Sequence, residues 1–193
     1  MEELADRYHS DLNETALAWL RKRGITDETI KKQKLGYVIE GRYENSISIP
    51  YMNPYGGEVR TIRYRFLAPN PTKYLSTRGS GTNLYNVENT TCDQVWICEG
   101  EFDSLILSQM GHTAIAVPGS SAFKDDWKYL FANCERVSLV FDSDEAGNRG
   151  SKRIASILGG VVEDLRLIHL PEGMDVTDYY LMNPQGLESL VSS

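Results

Sequence analysis

Three apolar runs in the second half of the chain are each followed by carboxylates. "VWIC" leads into Glu99-Gly100 and then Asp103; "SLVF" stops at Asp142-Ser143-Asp144; "LRLIHLP" is followed by Asp175 and Asp178. Between these runs lie segments with helical periodicity, "FDSLILSQMG", "DDWKYLFANC" and "EAGNRGSKRIASILGG", a further short run "TAIAVPG", and a closing helical tail "DVTDYYLMN". Strands that alternate with helices over short connections predict right-handed crossovers and a mostly parallel sheet covered on both faces. In such a sheet ligands gather outside the carboxyl ends of the strands, and those ends are where the acids fall.

Each acid alone reads well as a turn or a helix cap. Asp142 and Asp144 suit an Asx-turn and an N-cap, Asp175 suits the cap of a helix over 176–182, and Glu99 suits a solvated side chain. Independent caps do not explain why three successive strand ends are acidic at one edge. Alternate residues of an extended chain point the same way, so Asp142 and Asp144 aim together. A carboxylate cluster repels itself unless a cation neutralises it. All-oxygen donors, with no nearby Cys or His, favour Mg²⁺ or Mn²⁺ over zinc or copper.

The first half of the chain has a different character. "NETALAWLRKRG" reads as a helix capped by Asn13, and "TDETIKKQKLG" as a second, short helix capped by Thr26. "NSISIPYM" and "GEVRTIRYRFL" read as an antiparallel pair around the turn signal Asn53-Pro54-Tyr55-Gly56-Gly57, and residues 68–83 as an ordered loop. The net charge of −7 argues against a polyanion partner until its distribution is considered. Residues 1–87 carry a net charge of +3 and residues 88–193 one of −10. Within 59–87, Arg60, Arg63, Arg65, Lys73 and Arg78 occur without a single acid. Such a segment is either a solvated strand face or a track for phosphates beside a divalent-cation site. The three cysteines, Cys92, Cys98 and Cys134, have no metal-ligand spacing, which fits a reducing, cytoplasmic setting. No hydrophobic leader or membrane-length apolar run is read, so no membrane partner is expected.

Glu99-Gly100-x-x-Asp103, then Asp142-Ser143-Asp144 with Ala146-Gly147 behind it, then "LPEGMDVTD", resembles the TOPRIM domain over about residues 92–182. That domain occurs in bacterial-type primases, type IA and type II topoisomerases, and some nucleases and recombination proteins. "ALAWLRKRGITDETIKKQKLGYV", the hairpin, "PTKYLST" and "NLYNVE" are similar to the front of the primase catalytic core, which extends the resemblance over nearly the whole chain. The implied fold class is α/β: a parallel-sheet TOPRIM domain with a helical tail, over 91–193, preceded by a smaller, basic α+β subdomain over 1–90 that binds template and nucleotide.

The resemblance implies Glu99, Asp142 and Asp144 as catalytic metal ligands, with Asp103, Asp175 and Asp178 in support. The family often has Asp-x-Asp in its third motif, whereas Asp175 and Asp178 here are separated by two residues. It further implies Mg²⁺ or Mn²⁺ and two-metal nucleotidyl transfer, with Glu99 as ligand or general base. Arg63, Arg65, Lys73 and Arg78, with Arg60 beside them, would contact the template backbone or nucleotide phosphates, and Tyr64 and Tyr74 would stack on bases or simply pack. Gly147 and Gly150 would leave room for phosphate near a helix start. The expected activity is synthesis of short RNA primers on single-stranded DNA from nucleoside triphosphates. A phosphodiester-cleaving TOPRIM nuclease and a non-catalytic module bridging DNA and protein are the alternatives. A replicative primase carries a zinc ribbon before this core and a helicase-docking domain after it. Neither is read here, so either a replicative helicase or a separate zinc-ribbon protein is an expected partner, or the chain is an excised core of a larger protein, with Met1 favouring a natural start.

Overall fold

The structure is a computed structural model and describes residues 1–53, 57–68, 72–87, 90 and 93–192. Part of the expected turn (54–56), part of the expected loop (69–71), Glu88 of the "NLYNVE" segment, the expected subdomain junction at residue 91, and Cys92 lie outside the described residues. The chain divides into two compact units, Met1–Gly81 and Thr82–Ser193. The division lies ahead of the boundary read at residue 90 for a specific reason. Tyr85 forms an antiparallel bridge with Ala116, and Leu84 packs in the second unit's core.

The first unit opens with helix α1 (Glu2–Ser10), which the sequence reading did not anticipate. Its signal is short, since only Ala5 and Tyr8 are buried. Glu2 carries the helix onto the sheet by accepting from the Val59 amide at 2.9 Å. Helices α2 (Glu14–Lys22) and α3 (Asp27–Lys32) begin where their caps predict: Asn13 accepts from the Ala16 amide and Thr26 from that of Thr29. Four antiparallel strands follow in spatial order, β1 (Gly36–Val38), β2 (Ser46–Met52), β3 (Val59–Phe66) and β4 (Tyr74–Ser76). The expected β2–β3 pair is present, with Ile47 opposite Arg65 and Ile49 opposite Arg63. Strand β4 corrects the reading of 68–83 as loop throughout. Three residues carry no visible alternation, and only pairing with β3, Arg65 opposite Tyr74 and Arg63 opposite Ser76, makes them a strand.

The second unit is a four-stranded sheet of β5 (Gln94–Cys98), β6 (Ala114–Ala116), β7 (Arg136–Val140) and β8 (Asp164–Ile168), in the order β6-β5-β7-β8 and parallel throughout. Helix α4 (Glu101–Gln109) connects β5 to β6, and α5 (Glu145–Leu158) connects β7 to β8. The segment expected as a helix between β6 and β7 is a 3-10 helix, Asp125–Phe131, preceded by a short 3-10 turn, Ser120–Ala122. The tail forms two helices, α6 (Val176–Met182) and α7 (Pro184–Val191), where one was expected.

This order fixes where a site belongs. From β5 the chain moves outward to β6, then returns past β5 to β7 and on to β8. Right-handed crossovers therefore place α4 on one face and α5, with the 3-10 segments, on the other. Helix α4 packs on β5, β6 and α6, whereas α5 packs on β7, β8 and the 3-10 segments. The topological switch lies between β5 and β7, and the residues just beyond those strands are Glu99 and Asp142. No helix among the described residues is long and apolar enough to cross a membrane.

Candidate metal centre

Glu99 leaves β5 half-buried, and its Oε1 accepts from the Ser120 amide at 3.4 Å. Gly100 follows, and a Cβ there would lie 2.8 Å from Asp103 Oδ2, so a larger residue would push the Asp103 carboxylate out of its place. Asp103, in the first turn of α4, is buried, and its Oδ1 accepts from both the amide (3.1 Å) and the hydroxyl (2.8 Å) of Thr177. Burial and the negative charges of Asp175 and Asp142 push its carboxyl up to about 8, against the Thr177 hydrogen bonds that favour the charged form. Burial and the charges of Asp103 and Asp142 also raise the thiol of Cys98. Acids from β5–α4, from β7 and from the start of α6 therefore act on one another.

Asp142 is half-buried at the end of β7. Its loop is tied to the segment before α6, where the Ser143 amide donates to Met174 O (3.0 Å) and the Gly173 amide to Ser143 O (3.1 Å). Asp144 is the N-cap of α5 and accepts from Gly147 N at 2.7 Å; Asp175 is the N-cap of α6 and accepts from Asp178 N at 2.6 Å. Capping and site roles thus meet in the same residues. A cap engages one carboxylate oxygen, and Oδ1 is the atom used in both cases. Asp178 contributes its amide to this arrangement, while its own side chain is exposed.

The glycines have a different role from the one read in the sequence. A Cβ on Gly147 would lie 2.1 Å from the Asp142 carbonyl oxygen, and one on Gly150 would lie 2.1 Å from Ser120 Cβ. Both serve close packing of α5 on neighbouring protein, so the room for phosphate expected there is filled. Sequence reasoning also missed Thr177 and the loop Pro118-Gly119-Ser120. The loop's signal was its place after β6 at the same sheet edge; Thr177 has no signal apart from the fold.

In the first unit, β3 alternation brings Arg63 and Arg65 to one face, where Tyr74 of β4 lies between them. The guanidinium carbons sit 4.6 Å and 5.3 Å from its ring centre. Arg65 also faces Trp19 at 5.5 Å, and Arg23 covers Trp19 at 4.4 Å. Trp19 and Arg23 extend the basic segment in a way the sequence did not disclose. Tyr64 is buried and stacked on Tyr43, so it packs rather than presenting itself to a base. Arg60, Lys73 and Arg78 are exposed, Arg60 toward the opposite end of β3 and Arg78 in the turn beyond β4.

A family model described as Toprim-like matches residues 96–180. The Gene 57 protein of Mycobacterium phage D29 is 32% identical over 154 residues, which cover 77% of this chain and 97% of that protein. The chain belongs to the Toprim-like family. A DNA primase of Clostridium acetobutylicum is 28% identical over 184 residues, 86% of this chain but 30% of the primase, so the TOPRIM chain spans under a third of that relative's length. The crystal structure of the Aquifex aeolicus primase, with zinc-binding and RNA polymerase domains, superposes with a TM-score of 0.86 at 20% identity, over 98% of this chain and 59% of that one. The fold is that of the primase catalytic core.

TOPRIM primases are metal-dependent, and the donors here suit a hard dication. Burial first, and then the negative charges of Asp175 and Asp142, raise the Asp103 carboxyl, so negative charge at this edge is costly unless a cation offsets it. Among the described residues no three carboxylate, His or Cys side chains enclose an ion by themselves. An ion would complete its shell with water or phosphate oxygens, as Mg²⁺ characteristically does.

Proposed function

We propose that this TOPRIM protein is a primase-type nucleotidyltransferase that builds short RNA primers from nucleoside triphosphates on single-stranded DNA. The observation that carries the reading is the convergence of acids from three chain segments on the topological switch of the parallel sheet. In this reading Glu99, Asp142 and Asp144 hold Mg²⁺ or Mn²⁺, and Asp103 and Asp175 support them by joining α4 to the start of α6. A bound divalent ion supplies Lewis-acid stabilisation at phosphorus and acidifies the attacking hydroxyl. The chain's own part is positional. Asp144 and Asp175 fix the starts of α5 and α6, and the bonds between Ser143 and residues 173–174 hold the two acidic loops together. Glu99 is the group placed to orient the ion or to accept a proton.

Arg63 and Arg65, stacked on Tyr74 and Trp19, bind the template backbone or nucleotide phosphates, and Lys73 and Arg78 add charge nearby. Phosphate contacts of this kind position a strand without reading its sequence. The partners are single-stranded DNA, nucleoside triphosphates, a replicative helicase and a zinc-ribbon protein. The last is supported by the Aquifex primase, in which a zinc-binding domain accompanies the RNA polymerase domain.

The test incubates the protein with single-stranded template, labelled ribonucleotides and Mg²⁺ or Mn²⁺, alongside Asp142→Asn and Glu99→Gln. New oligonucleotides that disappear in both variants are the expected result. Shortened template without synthesis would transfer the same acids to nuclease chemistry. Bound DNA with neither product, even after a relative's zinc-binding domain is added, would leave an interaction module.

A further inference from the structure

Arg153 lies on α5, two and a half turns beyond Asp144 and outside the acidic edge. Its guanidinium reaches the loop after β6: Nη2 donates to Phe123 O at 3.1 Å, Nη1 to Ser120 O at 3.5 Å, and Asp125 Oδ1 lies 3.7 Å away. The amide of that same Ser120 donates to Glu99. One turn before Arg153, Gly150 lacks the Cβ that would collide with the Ser120 side chain, so helix and loop meet closely. Helix α5 therefore does two things. It begins at Asp144, immediately beyond Asp142, and it clamps the loop that holds Glu99 on the other side of the switch point.

We propose that Arg153 and the Ser120 amide are positioning elements for Glu99, holding its carboxylate in the orientation in which it meets the ion bound by Asp142 and Asp144. The inference rests on the metal-site reading given above. Partners that orient a ligating carboxylate typically change metal affinity by roughly 10–100-fold when removed. Arg153 is 45% exposed and its pairing with Asp125 is an open surface contact, so its replacement costs little folding stability. Two guanidinium N–H groups span two carbonyls, a geometry that a lysine ammonium does not reproduce.

The test titrates Mn²⁺ by electron paramagnetic resonance into the wild type, Arg153→Met, Ser120→Ala, Ser120→Pro, Glu99→Gln, and Arg153→Met combined with Glu99→Gln, with circular dichroism as the fold check. Ser120→Pro deletes the amide donor together with the hydroxyl, whose loss alone Ser120→Ala reports, and Gly119 already has the extended ψ of 132° that a following proline requires. Arg153→Met and Ser120→Pro are expected to weaken Mn²⁺ binding by roughly tenfold. Ser120→Ala, which keeps the amide, should stay within about twofold of wild type. In the Glu99→Gln background, Arg153→Met should add nothing. Equal weakening with and without the Glu99 carboxylate would overturn the proposal, as would unchanged affinity in a folded Arg153→Met. A second readout needs no metal: the Ser120 amide proton should move upfield in both Glu99→Gln and Arg153→Met. A wild type that binds no Mn²⁺ defeats the functional reading alone, and an unmoved Ser120 resonance defeats the positioning proposal alone.

Discussion

The two units hold their functional charges by opposite means. In the first, guanidinium groups are fixed by aromatic faces: Arg63 and Arg65 on Tyr74, Arg65 and Arg23 on Trp19. An aromatic face orients an arginine and leaves its charge intact, and arginine does not deprotonate in proteins. In the second, carboxylates are fixed by amides at helix starts: Asp144 by Gly147, Asp175 by Asp178, Asp103 by Thr177. An amide orients a carboxylate, but crowding several acids in a buried place can neutralise one of them, as Asp103 shows. The basic patch keeps its charge at any working pH, whereas the acidic edge needs a cation to keep all of its own.

The sharpest break between these devices lies at Asp144, which is both cap and proposed ligand. Serine caps a helix about as well as aspartate, so Asp144→Ser should change stability by only about 0.5 kcal/mol. It cannot replace a carboxylate on a cation, and primer synthesis should fall on the order of 10²-fold or more. Asp144→Ala should lose activity to the same degree and about 1 kcal/mol of stability besides. Primer yield and urea unfolding measured side by side decide the matter. If Asp144→Ser retains synthesis, Asp144 is a cap and nothing more.

Close helix packing supports both units and offers the next contrast. A Cβ on Gly36 would lie 2.4 Å from the Tyr8 carbonyl carbon in the first unit, and one on Gly147 would lie 2.1 Å from the Asp142 carbonyl oxygen in the second. Both collisions are with backbone, so each alanine substitution should cost about 3 kcal/mol in denaturant unfolding. Only Gly147→Ala should also weaken Mn²⁺ binding, because it displaces the strand end that carries Asp142. Loss of Mn²⁺ affinity in a folded Gly36→Ala would contradict this division of labour.

Much of the acidic edge was legible because its signal is local. Short strand runs lead into acids, and helices with recognisable starts follow, so β5, β7, α5 and the presence of acids at their ends follow from pattern alone, whereas the choice of Glu99, Asp142 and Asp144 among those acids rests on the family resemblance. The first unit was less legible because its decisive pairings are long-range. Strand β4 exists through its pairing with β3, and Trp19 joins Arg65 although the two are far apart in sequence. Thr177 illustrates the limit within the second unit. It occupies an ordinary helix-start position, and only the packing of α6 on α4 turns it into the partner of Asp103. The glycines misled for a related reason. Their spacing announces close approach, but not what approaches.

Protonation of Asp103 gives a pH dependence with a definite sign. An unfolded aspartate titrates near 3.9, whereas Asp103 in the fold titrates at about 8. Below about pH 4 both states hold the proton and the contribution to stability is fully present. As pH rises toward 8 the unfolded chain releases its proton and the folded chain keeps it, so stability is lost across that window. Metal-free wild type should therefore lose stability between about pH 4 and pH 8 relative to Asp103→Asn, whose profile should be flatter. Added Mg²⁺ at pH 8 should raise the melting temperature of the wild type through binding to the folded state. An identical pH profile for Asp103→Asn would remove Asp103 from the charged edge.

The smallest expected effects belong to the basic patch, where charge is shared among several residues. Each phosphate contact with single-stranded nucleic acid contributes about 0.7 to the slope of log affinity against log salt. Arg63→Ala and Arg65→Ala should each reduce that slope by about this amount, measured by fluorescence anisotropy on a labelled oligonucleotide. Arg65→Lys discriminates further. It preserves the charge but loses the flat guanidinium that lies between Trp19 and Tyr74, so it should keep the slope while weakening binding at every salt concentration. If Arg65→Lys binds as wild type does, the aromatic faces only pack, and the contrast between ring-held and amide-held charge fails in the first unit. If both alanine variants leave the slope unchanged, the phosphate track lies elsewhere, with the exposed Lys73 and Arg78 as the next residues to replace.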